Sequence, residues 1–181
     1  MQVLWLTHTQ TRIIADHARA EAPHEACGIL GGINGQVSQV FPVRNVAADP
    51  AHYYELDPVG MLKALNQFEA AGLELLGFYH SHPVGEPIPS QTDIREATYP
   101  DSAYLIVGLR GNEPQFAAWQ IRHSRVDALP LHVGTDAPQV EANTLSKTQR
   151  FAIILSALLA FILMIGLSIY LLPPAPEIPI R

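Results

Sequence analysis

Apolar and polar positions along the chain fall into three stretches of different rhythm. Through about residue 133, short apolar runs of strand length alternate with segments of helical period. Thr9 or Thr11 can cap a helix reaching about Ala22, with Ile13, Ile14, His17 and Ala18 on one face. CGILGG and QVSQVFPV predict two strands joined at Asn34-Gly35, a dipeptide suited to positive φ at both turn positions. Asp57-Pro58 opens a second helix, with Pro58 at its first position, that runs to Ala70 and stops at Gly72. LELLGFYHSH predicts a strand and Ser90 to Tyr99 a short helix. AYLIVGLR and QFAAWQIR predict two more strands, separated by a turn around Gly111-Asn112. Helices and strands interleave, and several strand pairs read as antiparallel. The expected class is α/β (α+β mixed), one mixed β-sheet flanked by helices.

The rhythm changes after Val133. Residues 134–150 are polar with no apolar period and predict a linker. Phe151 to Leu172 then contain neither charge nor proline. As a helix rising 1.5 Å per residue, this segment spans roughly 33 Å, enough for a bilayer core of about 30 Å. An all-round apolar helix of that length is hard to bury in a protein this small. The segment therefore predicts one C-terminal transmembrane helix, followed by a proline-rich tail, residues 173–181. Lys147 and Arg150 precede the span, with Arg122 and Arg125 further back, while only Arg181 follows. That asymmetry predicts a single-pass tail anchor in the cell membrane, with the head, residues 1–133, facing the cytoplasm. Ala152, Ser156 and Ala160 recur at four-residue spacing and offer a face for a possible homodimer.

Composition narrows the classes. A formal net charge of -6 argues against a nucleic-acid partner. The lone cysteine, Cys27, excludes an internal disulfide framework and fits a reducing compartment. MQVLWLTHTQTR lacks the basic start and continuous apolar run of a secretory signal, so the head is expected to stay unexported.

Candidate chemistry concentrates in GFYHSHPVGEPIPSQTDIREA. His80 and His82 lie two apart at the end of a strand, so both imidazoles face one side and can reach a single metal ion. Ser90 and Asp93 begin a helix after a proline-containing loop. A Ser followed three residues later by an acid is also a capping arrangement, and such a cap would fix the loop that brings Asp93 toward the histidines. Two histidines and one carboxylate leave a fourth tetrahedral position open for water, the layout of catalytic rather than structural zinc. The water also needs a base that is not a ligand. Spacing does not identify that base: Glu25 is a candidate, but Glu86 lies much closer in sequence.

EACGIL, then HSHP, seven residues, Ser90, two residues and Asp93, together with YYELDP, resemble the JAMM (MPN+) metallopeptidase family. The likeness runs over about residues 5 to 120 with no departure in motif spacing, and the chain looks most similar to the compact prokaryotic members. The resemblance implies that His80, His82 and Asp93 ligate one Zn2+ per chain. It implies that Glu25 activates the water and later protonates the leaving nitrogen. Ser90 would donate a hydrogen bond to the tetrahedral oxyanion. It further implies a zinc metallopeptidase or isopeptidase that cuts an amide bond at the tail of a ubiquitin-like or sulfur-carrier protein. A non-catalytic MPN scaffold at the membrane, or a zinc amidase acting on small peptides, are the alternatives.

Several other residues have plainer readings. Cys27 reads as a small buried strand residue despite its closeness to Glu25. Ser81 points to the opposite face from the histidines and reads as a structural hydrogen-bonder. His24, His52, His123 and His132 lack ligand partners at useful spacing. Trp5 and Trp119 read as core, Tyr53 and Tyr54 as packing, and Glu86 as a solvated loop residue.

Overall fold

The computed structural model describes residues 3–135, together with 152, 155, 156 and 159–165. In chain order the elements are β1 (Leu4–Leu6), α1 (His8–Glu21), β2 (Cys27–Ile33), β3 (Gln36–Val43) and α2 (Pro58–Ala70). They continue with β4 (Glu74–His82), α3 (Gln91–Glu96), β5 (Ala103–Gly108), β6 (Gln115–Arg122), β7 (Arg125–Leu129) and β8 (Leu131–Val133). All eight strands form one mixed sheet in the order β7-β6-β5-β4-β2-β3-β1-β8. β4 lies near its middle, antiparallel to β2 and parallel to β5.

The β2–β3 turn carries φ of 53° at Asn34 and 83° at Gly35, as that dipeptide predicts. Asp57 caps α2 by accepting from the Gly60 N–H, with Pro58 in the first turn. Other details differ from the sequence reading. Thr7, not Thr9 or Thr11, caps α1, in a reciprocal capping box with Gln10. The buried face of α1 is Ile14, Ala15 and Ala18, while Ile13 is exposed. α3 ends at Glu96 rather than Tyr99. Three strands went unread: β1 and β8 have three residues each and carry no period, and β7 is a partly exposed edge strand.

Each face of the sheet buries its own core. Ile14 and Ala18 of α1 pack with Leu30, Leu76, Tyr79, Leu105 and Val107. Ala64 and Phe68 of α2 pack on the other face with Ile29, Phe78, Tyr104 and Ile121. On β4 the alternation is broken once. Gly77 pairs with Leu30 and Leu75 with Gly31, leaving Leu76 as an extra residue. Such a bulge reverses which face the following side chains take. Phe78 therefore turns toward α2, and His80 and His82 follow it by the two-residue period.

The chain divides into two compact units, Met1–Pro138 and Gln139–Arg181. In the second, residues 159–165 are helical, and Leu159, Phe161, Ile162, Leu163, Met164 and Ile165 are exposed. Among the described residues no helix is long and apolar enough to cross a membrane. The linker expected over 134–150 and the tail over 173–181 lie almost wholly outside the described residues, as does much of the span expected over 151–172.

Candidate metal centre

The end of β4 and the start of α3 meet on the α2 side of the sheet. His80 is buried and His82 nearly so. Their Nε2 atoms stand 3.1 Å apart. Asp93 closes the group, with Oδ1 3.4 Å from His80 Nε2 and Oδ2 3.4 Å from His82 Nε2. These three residues are the cluster able to hold a metal ion among the described residues.

The cap predicted at Ser90 is what delivers Asp93. Ser90 Oγ accepts from the Asp93 N–H at 3.1 Å, and the Ser90 N–H donates to Asp93 Oδ2 at 2.6 Å. One reciprocal box therefore starts α3 and locks the carboxylate's rotamer. Ser90 itself is exposed, and its Oγ serves that box as an acceptor, which leaves the hydroxyl proton for another partner.

The spacing fits a cation. A tetrahedral ion with bonds of about 2.0–2.1 Å holds its ligand atoms about 3.3 Å apart. Two imidazole Nε2 atoms at 3.1 Å also cannot both present lone pairs to each other. One must carry a proton, or a cation must sit between them. His82 Nδ1 lies 2.8 Å from the Glu86 carbonyl, which fixes the proton on Nδ1 and leaves Nε2 as the donor atom toward the centre. His80 Nδ1 is buried with no hydrogen-bond partner among the described residues. The ring of Tyr54 stacks on His80, with centroids 4.3 Å apart at 16°.

Electrostatics separate the three groups. Burial drives His80 below its ordinary value, against the opposing pull of Asp93. Burial also acts to lower His82, but hydrogen bonds to Asp93 and the Glu86 carbonyl outweigh it and leave it raised. Burial opposes ionisation of Asp93. Its bonds with His80, His82 and the Ser90 N–H win, and its carboxyl falls far below the usual carboxylate range.

Glu25 reaches the site from the lead-in to the neighbouring strand, two residues before β2 begins. Cys27 pairs with His80 across β2 and β4. Extending that antiparallel register by two residues brings Glu25 level with His82. The Ser81 N–H donates to the Ala26 carbonyl at 2.9 Å, which keeps this lead-in paired. Glu25 is 7% exposed. Burial pushes its carboxyl up to about 7; His82 opposes that rise and Asp93 adds to it. A carboxyl poised near neutrality beside three convergent candidate ligands can both take and return a proton. Glu86 has other work: its carbonyl serves His82, and its carboxylate pairs with Arg110 at 3.3 Å. It is not simply solvated.

Cys27 is buried, its thiol pushed up to about 12 by burial, and it makes a 3.4 Å contact with the Val43 carbonyl. Ser81 is buried and its Oγ accepts from the Ala26 N–H. His24 is exposed, His52 pairs with Asp49, His123 sits in a turn with φ 48°, and His132 stacks on Trp5. None of them comes near the centre as a ligand. Two residues read chiefly as packing or core touch the site's surroundings. Tyr54 stacks on a candidate ligand, and the Trp119 indole N–H donates to the Pro87 carbonyl at 2.9 Å, in the loop after His82. No periodicity marks such contacts in advance. A cleft beside Asp93 is lined by Tyr53, Tyr54, Glu55, Phe78, Glu96 and Tyr99, among others.

A mixed sheet that ends a His-x-His strand beside a helix-capped Asp, with a buried Glu just before the adjacent strand, defines a hydrolase of the compact JAMM/MPN+ type. The chain belongs to the family of prokaryotic homologs of the JAB domain, whose model matches residues 8–122. It is 46% identical over 99 residues to a desampylase of Haloferax volcanii, spanning 51% of this chain and 71% of that protein. It is 34% identical over 120 residues to the CysO-cysteine peptidase of Mycobacterium tuberculosis, spanning 65% and 82%. The solution structure of a Desulfitobacterium hafniense protein superposes with a TM-score of 0.68 at 31% identity, covering 76% of this chain and 97% of that one.

Proposed function

We propose that the protein is a zinc-dependent isopeptidase that hydrolyses the amide bond following the tail of a ubiquitin-like or sulfur-carrier protein. The carrying observation is the three-residue cluster of His80, His82 and Asp93, with the Nε2 atoms 3.1 Å apart, each 3.4 Å from one Asp93 carboxylate oxygen, and a buried Glu25 alongside. The substrate class rests on likeness to relatives named for desampylation and for cleaving a CysO–cysteine bond.

His80, His82 and Asp93 would hold the ion. When bound, zinc supplies a Lewis acid for the scissile carbonyl and lowers the pKa of the attacking water. Glu25 accepts that water's proton as its oxygen bonds to the amide carbon. Glu25 then returns the proton to the nitrogen as the carbon–nitrogen bond breaks, so the amine leaves neutral. The Ser90 hydroxyl donates to the carbonyl oxygen as negative charge builds there. Burial of Glu25 suits this double duty, because a carboxyl near pKa 7 gives up its proton far more readily to an amine than to water.

The apolar run over 151–172 supports a second element of the proposal, a single-pass tail anchor that holds the head at the cytoplasmic face of a membrane. Tethering concentrates the enzyme near membrane-associated conjugates.

The decisive experiment uses purified full-length chain and a conjugate of a ubiquitin-like tail. About one zinc per chain and cleavage at the tail are expected. Glu25→Ala should keep the zinc and lose turnover, whereas His82→Ala should lose both. Full turnover in Glu25→Ala would remove Glu25 from the mechanism, and a chain that binds no zinc would sink the reading of the site.

A further inference from the structure

We infer that Trp119, on β6, is a positioning residue for His82 and acts through the loop of residues 83–89. The inference rests on the reading of His82 as a metal ligand. Its starting point is the Glu86 carbonyl, 2.8 Å from His82 Nδ1. That contact sets which ring nitrogen carries the proton, and so which one is free to bind an ion. The carbonyl lies in an irregular loop, so something outside the loop must fix its place.

The loop has little means of fixing itself. Pro83, Pro87 and Pro89 offer no backbone N–H. Its internal bonds are Gly85 N–H to the His82 carbonyl at 3.2 Å and Ile88 N–H to the Glu86 carbonyl at 2.8 Å. Three features of the β5–β6 region hold it from outside. The Arg110 backbone N–H donates to the Gly85 carbonyl at 3.3 Å. The Arg110 guanidinium meets the Glu86 carboxylate at 3.3 Å, but both side chains are largely exposed and such pairs hold weakly. The Trp119 indole N–H donates to the Pro87 carbonyl at 2.9 Å, which belongs to the residue next to Glu86. This is the shortest of the three, and it comes from a half-buried ring packed against the core on the α2 side. Gly108 presses from β5: a Cβ there would lie 2.8 Å from both the Gly85 carbonyl oxygen and the Pro87 nitrogen.

Trp119 therefore holds one peptide unit, the adjacent unit orients His82, and His82 faces the centre with Nε2. A purely structural tryptophan would affect stability alone. A positioning tryptophan also affects His82.

The test uses the full-length chain with Trp119→Phe, which keeps an aromatic ring and removes the N–H. Zinc affinity is measured by competition with a chelator, and the His82 Nδ1–H resonance is followed by NMR in metal-free protein. The expected results are a dissociation constant raised about tenfold, the scale of outer-sphere effects on metal sites, and faster exchange of the His82 Nδ1–H. If both stay as in the parent, the inference is overturned, whatever happens to the melting temperature. Should Trp119→Phe fail to fold, Gly108→Ala displaces the same loop from β5 with the indole intact. It should move the same two readouts, and no change in either again overturns the inference. If the parent itself binds no zinc, the metal reading fails, while the His82 signal still decides the link to Trp119.

Discussion

Glu25 carries the most informative perturbation at the scale of single residues. Its carboxyl is raised from 4.5 to about 7, chiefly by burial. An acid with a higher pKa in the folded state binds its proton more tightly there. Stability therefore falls as pH rises from 4.5 through about 7, and the cost is complete above that window. In metal-free protein, the parent should lose about 3 kcal/mol relative to Glu25→Gln across this range. Urea unfolding at a series of pH values reads the difference directly, and parallel stability–pH curves for the two proteins would rule it out. The same residue illustrates what sequence alone could settle. His80 and His82 follow from a two-residue period and ligand chemistry. Glu25 does not, because the pairing of β2 with β4 that carries it to His82 is long-range and leaves no local mark.

Among the elements, α3 joins folding to chemistry most closely, since its first turn supplies both Ser90 and Asp93. The capping box explains why a six-residue helix forms here at all, and the sequence pattern Ser-x-x-Asp announced it. Substitution at Ser90 can separate the cap from the hydroxyl. Glycine is nearly as good a cap, so Ser90→Gly should cost only a few tenths of a kcal/mol in stability. It lacks the hydroxyl, so kcat should fall about 100-fold or more. Ser90→Thr keeps both functions and should retain most of the rate. Equal rates in the Gly and Thr variants would assign Ser90 to the cap alone. Legibility at this scale tracked the strength of the local signal. α2, with its Asp57-Pro58 start, and the Asn34-Gly35 turn were readable to the residue. β1 and β8 were not: strands of three residues are held by parallel pairing to partners distant in sequence, and three positions carry no period. The bulge at Leu76 was equally silent, although it decides which face of the sheet receives the histidines.

The molecule as a whole poses the question of why a compact hydrolase should carry the apolar run over 151–172. The head builds its two cores and its site from residues before 138. Among the described residues, none of the hydrogen bonds or ion pairs that shape the centre involves a residue beyond Trp119. Catalysis and location should therefore separate. A chain ending at Thr135 should match the full-length protein in zinc content, melting temperature and kcat/KM on a small soluble conjugate. In cells the full-length chain should sediment with membranes and the shortened one should not. Conjugates that reside at the membrane should then accumulate only with the shortened chain, because lowering local concentration slows encounter without touching the chemical step. Equal processing of such conjugates by both chains would leave the apolar run without a part in substrate choice. A shortened chain that loses zinc or turnover in solution would show instead that the second unit supports the site itself.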